Sequence, residues 1–415
     1  MERLHVEISP HVYLLIRSLR NRDIPLLPGL KEIYIPDNTS LDFSSALLLA
    51  SESSLNLIHL DNSATSDRQF CSSFLFLLSV NSNPTHLTLC GTAVMSTSLE
   101  LIPRFKNLQS LDLRLSGTYL GFQFLQDLGK LDNLLEMTLD TSPSIEAPRI
   151  LPLLTPPSTN STFIQLRKLH ILGTPSSISR VLDDMHVLMN LTTLLIQETT
   201  NDSGQDRESS WKRCFAIIST FPAIEDIQIT QFDESHWRPH HSTLSTSCFY
   251  PLYKLNNVTS FVIKNSTLSG SDEDFRFLAC AFPKLKTFVE PAESKGGKTL
   301  ACLLHFSQTN RHLRELKISL ASNFSDNIEA INMIGRHIIQ DHQHPLERLY
   351  IASEFGPVNV PDMIRIAQFL DLIFPNLSTL EAYGSGVSDW MNIQQIRVAL
   401  QAARIKASSA TKISN

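Results

Sequence analysis

The stretch whose residue types and spacing come nearest to a reaction is Ala292-Glu293-Ser294-Lys295-Gly296-Gly297-Lys298-Thr299. It matches the looser phosphate-binding loop G-x-x-x-x-G-K-T with alanine at the first glycine, a pattern in which backbone N–H groups, a lysine and a hydroxyl hold phosphates and magnesium. No second acidic residue follows an apolar strand to complete the magnesium site. Nucleotide binding through 292–299 is the alternative to a basic surface loop. His236, His240, His241, His342 and His344 carry donor atoms for zinc, but Pro239 and Pro345 place them in loops and no cysteine stands at finger spacing, so solvated histidines are expected. Neither a nucleophile elbow nor H-E-x-x-H is present. With only 14 glycines in 415 residues, little remains for anion-cradling loops. The expectation is a protein that is not an enzyme, with no catalytic residue, no cofactor and no metal site.

The elements that would position any site come from a repeated frame, L-x-x-L-x-L, with apolar residues at positions one, four and six. Clear copies are Leu108-Leu111-Leu113, Leu134-Met137-Leu139, Leu166-Leu169-Ile171, Leu191-Leu194-Ile196, Ile224-Ile227-Ile229, Leu313-Leu316-Ile318 and Leu346-Leu349-Ile351. Looser copies are Leu30-Ile33-Ile35, Leu55-Ile58-Leu60, Pro84-Leu87-Leu89, Val258-Phe261-Ile263, Leu285-Phe288-Glu290 and Leu377-Leu380-Ala382. The thirteen copies step by about 29 residues, the long end of the leucine-rich-repeat range. Positions four and six lie on one side of a short strand and their neighbours on the other, which predicts one half-buried strand per repeat.

Between strands the apolar period becomes helical: Trp211, Cys214, Phe215 and Ile218; Phe275, Leu278, Ala279 and Phe282; Ile366, Phe369, Leu370 and Ile373. Each run ends in Phe-Pro, at Phe221-Pro222, Phe282-Pro283 and Phe374-Pro375, where proline disfavours helix in the residue before it. A unit of strand and helix cannot bury its apolar face alone, so neighbours must stack. The predicted fold is an α/β leucine-rich-repeat solenoid of about 13 repeats, a horseshoe with an inner parallel sheet and outer helices. Polar insertions at 141–162, 197–210 and 230–247 should lie at exposed edges. The expected organisation is a capping segment over 1–29 with a helix at Val12 to Leu19, the solenoid over 30–389, a C-terminal capping helix over 390–405, and a disordered tail over 406–415.

Composition bounds the function. With 42% hydrophobic and 18% charged residues the chain can build a large core. A net charge of −6 without long runs of one sign argues against nucleic acid or an anionic membrane as main partner. Six cysteines without a CxxC pair fit reduced thiols, and the start lacks a signal-peptide core, so a cytoplasmic or nuclear location without membrane attachment is expected.

Because positions four and six face the core, positions three, five and seven should line the concave surface and offer it to a protein partner. The candidates are Glu315, Lys317 and Ser319, then Arg348 and Tyr350, then Thr379, Glu381 and Tyr383, with apolar Leu195, Val262 and Val289 in the central column. Tyr and Arg are enriched at interface hot spots.

The 29-residue frames, the Phe-Pro-x-Leu junctions, the opening unit Pro28-Gly29-Leu30-Lys31-Glu32-Ile33-Tyr34-Ile35 and the Ser/Thr-rich insertions resemble the repeat regions of fungal F-box/leucine-rich-repeat proteins, over roughly residues 5 to 400. The resemblance implies a substrate-recognition subunit of an SCF-type ubiquitin ligase, in which an N-terminal F-box docks on the adaptor and the repeats capture the target. Here the first repeat begins at Leu30, and Met1 to Gly29 lacks the Leu-Pro-x-Glu-Ile/Leu opening, so no adaptor-binding residue carries over. A ubiquitin-ligase adaptor would be a partner only with an F-box upstream. A scaffold or non-functional duplicate is the remaining alternative.

Overall fold

The computed structural model describes residues 3–5, 29–37, 46–47, 54–91, 94–115, 118, 120–142, 163–185, 188–199, 206–232, 243–265, 267–290, 298–320, 331, 344–352, 358–384 and 386–413. The chain divides into two compact units, Met1–Ser203 and Gly204–Asn415. Both are α/β, with strands that pair in parallel in the order of the chain.

In the first unit the strands are β1 (Arg3–His5), β2 (Glu32–Ile35), β3 (Leu57–Leu60), β4 (His86–Gly91), β5 (Ser110–Leu115), β6 (Glu136–Asp140), β7 (Lys168–Gly173) and β8 (Thr193–Thr199). The register keeps the frames aligned: Ile33, Ile58, Leu87, Leu111, Met137, Leu169 and Leu194 are successive partners. All seven are buried. Burying each such side chain contributes about 1.5–3 kcal/mol, which makes this column a main source of the unit's stability. A one-residue slip would turn the whole column outward, so the burial pattern itself fixes the register.

β1 is a strand that the thirteen frames do not include. Leu4 pairs with Ile33, which holds position four of the first frame. A strand therefore lies within 1–29, where only a capping segment was expected; the expected helix at 12–19 lies outside the described residues.

In the second unit the strands are β9 (Asp226–Phe232), β11 (Ser260–Lys264), β13 (Thr287–Val289), β14 (Glu315–Ser319), β15 (Arg348–Ala352) and β16 (Thr379–Tyr383). A separate parallel pair, β10 (Thr243–Ser245) and β12 (Thr267–Ser269), adds a two-stranded sheet. The chain reaches β12 through Asn265, whose positive φ of 56° suits asparagine in the left-handed region.

The three helices expected from apolar spacing form at Asp206–Ile218, Asp272–Ala281 and Val360–Ile373. Local chemistry starts two of them. Ser271 and Asp274 form a reciprocal capping box, and the Asn359 side chain accepts from Asp362 N with proline in the first turn. Their buried faces meet the strands through aromatic rings. Phe249, Phe261, Phe288 and Phe306 lie in a chain of neighbours at 5.4–6.1 Å between centroids, with Phe275 6.2 Å from Phe288.

At the Phe-Pro junctions, Leu285 N donates to Phe282 O at 3.1 Å and Leu377 N to Phe374 O at 3.1 Å, so proline marks a tight turn that delivers the chain into its strand. Asparagines just before position one tie adjacent repeats. Asn133 Nδ2 donates to Lys106 O at 2.9 Å, Asn190 to Ile164 O at 2.6 Å, Asn257 to Pro222 O at 3.1 Å and Asn376 to His344 O at 3.1 Å.

The last helix runs from Val387 to Ile413 and buries Trp390, Ile393 and Arg397. It passes through residues 406–413, expected as a disordered tail. The segment holds neither glycine nor proline and includes good helix formers such as Ala and Lys, so nothing in it stops the helix. Residues 143–162, 200–205 and 233–242, within the expected insertions, lie outside the described residues.

Candidate functional site

In the second unit, strand register brings eight of the nine expected binding residues onto one face of the sheet. Val262, Val289, Lys317, Tyr350 and Glu381 are successive partners on β11, β13, β14, β15 and β16. Glu315 pairs with Arg348 in the row on one side, and Tyr383 pairs with Ala352 in the row on the other. The two valines, Lys317 and Tyr350 are half-buried, whereas Arg348, Glu381 and Tyr383 are exposed. Ser319, also expected on this face, is buried and donates through Oγ to Glu290 at 3.1 Å.

The charges on this face pair with one another. Arg348 Nη2 lies 3.0 Å from Glu315 Oε2, the Lys317 ammonium stands 5.1 Å from the Tyr383 ring centroid, and Tyr383 donates to Glu381 at 3.3 Å. Burial and the neighbouring Glu381 carboxylate hold the Tyr383 phenol above its ordinary value, so it is a neutral hydrogen-bond donor. The face offers an aromatic and apolar strip flanked by both signs of charge. Leu195, the ninth residue, belongs to the first unit, where it pairs with His170 on β7.

The first unit's equivalent face is built differently. Tyr34, His59, Thr88, Asp112, Thr138 and His170 form its central row, and Cys90 pairs with Arg114 two residues further along the strands. Tyr34 donates to Asp61 Oδ2 at 2.9 Å and its ring lies 4.4 Å from that of His59. His59 Nε2 is 2.8 Å from Asp61 Oδ1, and one donor atom each from His59, Asp61 and Cys90 lie within 4.8 Å of one another. Burial first, and then the Asp112 carboxylate, push the Cys90 thiol up to about 11. His170 is held below its ordinary value by burial and then by the Arg114 charge, and stays neutral.

Nothing in the linear motifs pointed to His59, Asp61 and Cys90. The signal was present in the frames, since positions five and seven of the second repeat and position seven of the third fall side by side once the repeats are stacked.

The nearest approach to a phosphate loop has a different use. Lys298 is fully buried and ion-paired with Glu290, equally buried, while its ammonium lies 4.6 Å from the Phe275 ring centroid. Thr299 donates through N and Oγ1 to Asp272, both at 2.7 Å. The lysine and the hydroxyl that would meet a nucleotide are thus turned to protein carboxylates; 291–297 lies outside the described residues. The pair also accounts for Glu290 at a core-facing frame position, where every other frame carries an apolar residue.

Of the histidines, His236, His240, His241 and His342 lie outside the described residues. His344 is not solvated as expected. It is buried against Phe374, with Nε2 3.2 Å from Asn310 O and Nδ1 accepting from Leu346 N at 3.3 Å, and so it ties two repeats together.

All six cysteines are free thiols. Among the described residues no helix is long and apolar enough to cross a membrane. No family model and no curated protein matches this chain.

Proposed function

We propose that the chain is a leucine-rich-repeat solenoid that binds a protein partner on the open face of its second unit and does no chemistry of its own. The observation that supports this is the row Val262, Val289, Lys317, Tyr350 and Glu381, with Arg348 and Tyr383 beside it. Two half-buried valines and two tyrosines next to paired charges have the composition of an interface centre with a polar rim. Six strands at about 4.8 Å spacing give a surface roughly 25 Å across, a scale suited to a protein segment. The resemblance to F-box/leucine-rich-repeat proteins makes the partner a target for ubiquitination, with this chain as the recognition subunit in the cytoplasm or nucleus. The burial of Lys298 against Glu290 weighs against the nucleotide reading.

The test is capture of partners by the full chain and by Lys317→Glu/Tyr350→Ala, with both proteins shown to be folded. A partner held by the first and lost by the second is the expected result. A partner held equally by both contradicts the assignment of this face.

A further inference from the structure

We propose that His59, Asp61 and Cys90 form a site for a single divalent transition-metal ion of the zinc class on the open face of the first unit. The proposal is independent of the partner-binding reading.

Three features of the fold bring these residues together. His59 lies on β3 and Asp61 directly follows it, two positions apart and on one side, while Cys90 occupies on β4 the position matching Asp61 one repeat later. Each is held by the sheet. The β4 end is fixed by Thr65, whose hydroxyl donates to Cys90 O at 2.6 Å. The next residue, Gly91, has φ +150° and packs so closely that a Cβ there would stand 1.9 Å from Thr65 Oγ1. The backbone that carries Cys90 is therefore set by a glycine that no other residue replaces without strain. The His59 and Asp61 side chains are 27% and 21% exposed, accessible to an entering ion but sheltered from free hydration.

The donor set defines the ion. A thiolate, an imidazole and a carboxylate suit zinc, which takes them at about 2.3, 2.0 and 2.1 Å in tetrahedral geometry, with a water or ligand atom in the fourth position. Tetrahedral distances of that size hold nitrogen and oxygen about 3.3 Å apart. The present 2.8 Å contact therefore opens by about half an ångström, within the reach of side-chain rotation. The ion takes the place of the proton shared by His59 Nε2 and Asp61, the ring carrying its proton on Nδ1. The Cys90 thiol releases its proton to solvent.

Tyr34 supplies the outer support such sites carry, since it donates to the second Asp61 oxygen and packs on the His59 ring. The neighbouring cation, Arg114, is bound by Asp112 through two contacts of 2.8 and 3.2 Å, which offsets its repulsion of the ion.

The full chain is treated with a thiol reagent with and without one equivalent of zinc, and labelling of each cysteine is read by peptide mass spectrometry. Zinc is expected to slow labelling of Cys90 at least tenfold and to leave exposed Cys280 unchanged. Cobalt added in place of zinc is expected to give a thiolate-to-metal absorption band that Cys90→Ser abolishes and Cys280→Ser retains. Tyr34→Phe keeps the band and weakens binding by about tenfold. Unchanged labelling of Cys90 in the presence of zinc overturns the proposal, as does a cobalt band that survives in folded Cys90→Ser.

Discussion

Glu290 and Lys298 show why residue identity misleads when read from a linear motif. A lysine after two glycines suggested a phosphate, whereas its partner is a glutamate eight residues earlier, buried in the core. Removing one member of such a pair leaves the other buried without its opposite charge, at a cost of about 3–5 kcal/mol. Lys298→Met should lower stability by that amount in urea titration, and Glu290→Leu/Lys298→Met should recover most of it. A loss below about 1 kcal/mol for the single variant would mean that the pair is hydrated. The histidines make a second prediction. His170 and His305 are both held below their ordinary value of 6.5, chiefly by burial. The folded chain then resists protonation that the unfolded chain accepts, so stability is complete above pH 6.5 and falls as the pH drops below it. Melting temperature measured from pH 8 to 5 should show that fall, and His170→Gln should reduce it.

At the scale of elements, the strands were legible because a two-residue period and a 29-residue step are separate signals that agree. Each of the thirteen frames, including weak ones such as Pro84-Leu87-Leu89, has a strand at its fourth position. The first strand, Arg3–His5, lies outside the thirteen frames because the three-residue run Arg-Leu-His carries a single apolar residue, too little to show a period. What joins the repeats was less legible. Asn310 occupies the place three residues before position one where Phe282 and Phe374 stand in other repeats. It is fully buried and donates to Ala279 O at 3.0 Å and Phe282 O at 2.7 Å. Asn310→Leu leaves two buried carbonyls without that donor and should cost about 1–3 kcal/mol. Asn133→Leu, at an exposed tie, should cost less, and chemical denaturation of the two variants separates the cases. Gly173 repeats the situation of Gly91, with φ +150° and Thr141 Oγ1 2.2 Å from where a Cβ would be. Gly173→Ala should destabilise the chain by about 1–3 kcal/mol.

For the whole molecule, the same stacked frames serve two faces of unlike chemistry. Core positions four and six are nearly uniform along the chain and could be read as a class. The open positions three, five and seven vary more, because packing constrains few of them, buried Ser319 being one, and their meaning appears only when repeats are set side by side. That is why the Lys317–Tyr350–Glu381 row could be anticipated from frame positions, whereas the meeting of His59, Asp61 and Cys90 across two repeats required the register. Recognition of a partner by the second unit's face, as proposed, depends on location more than on affinity. A photo-crosslinking amino acid placed at Tyr350 of the full chain, and separately at Phe277 on the exposed side of the helix Asp272–Ala281, tests it in cells. One discrete adduct is expected from position 350, lost when Lys317→Glu is added, and none from position 277. Equal adducts at both positions, or an adduct from 277 alone, would contradict it.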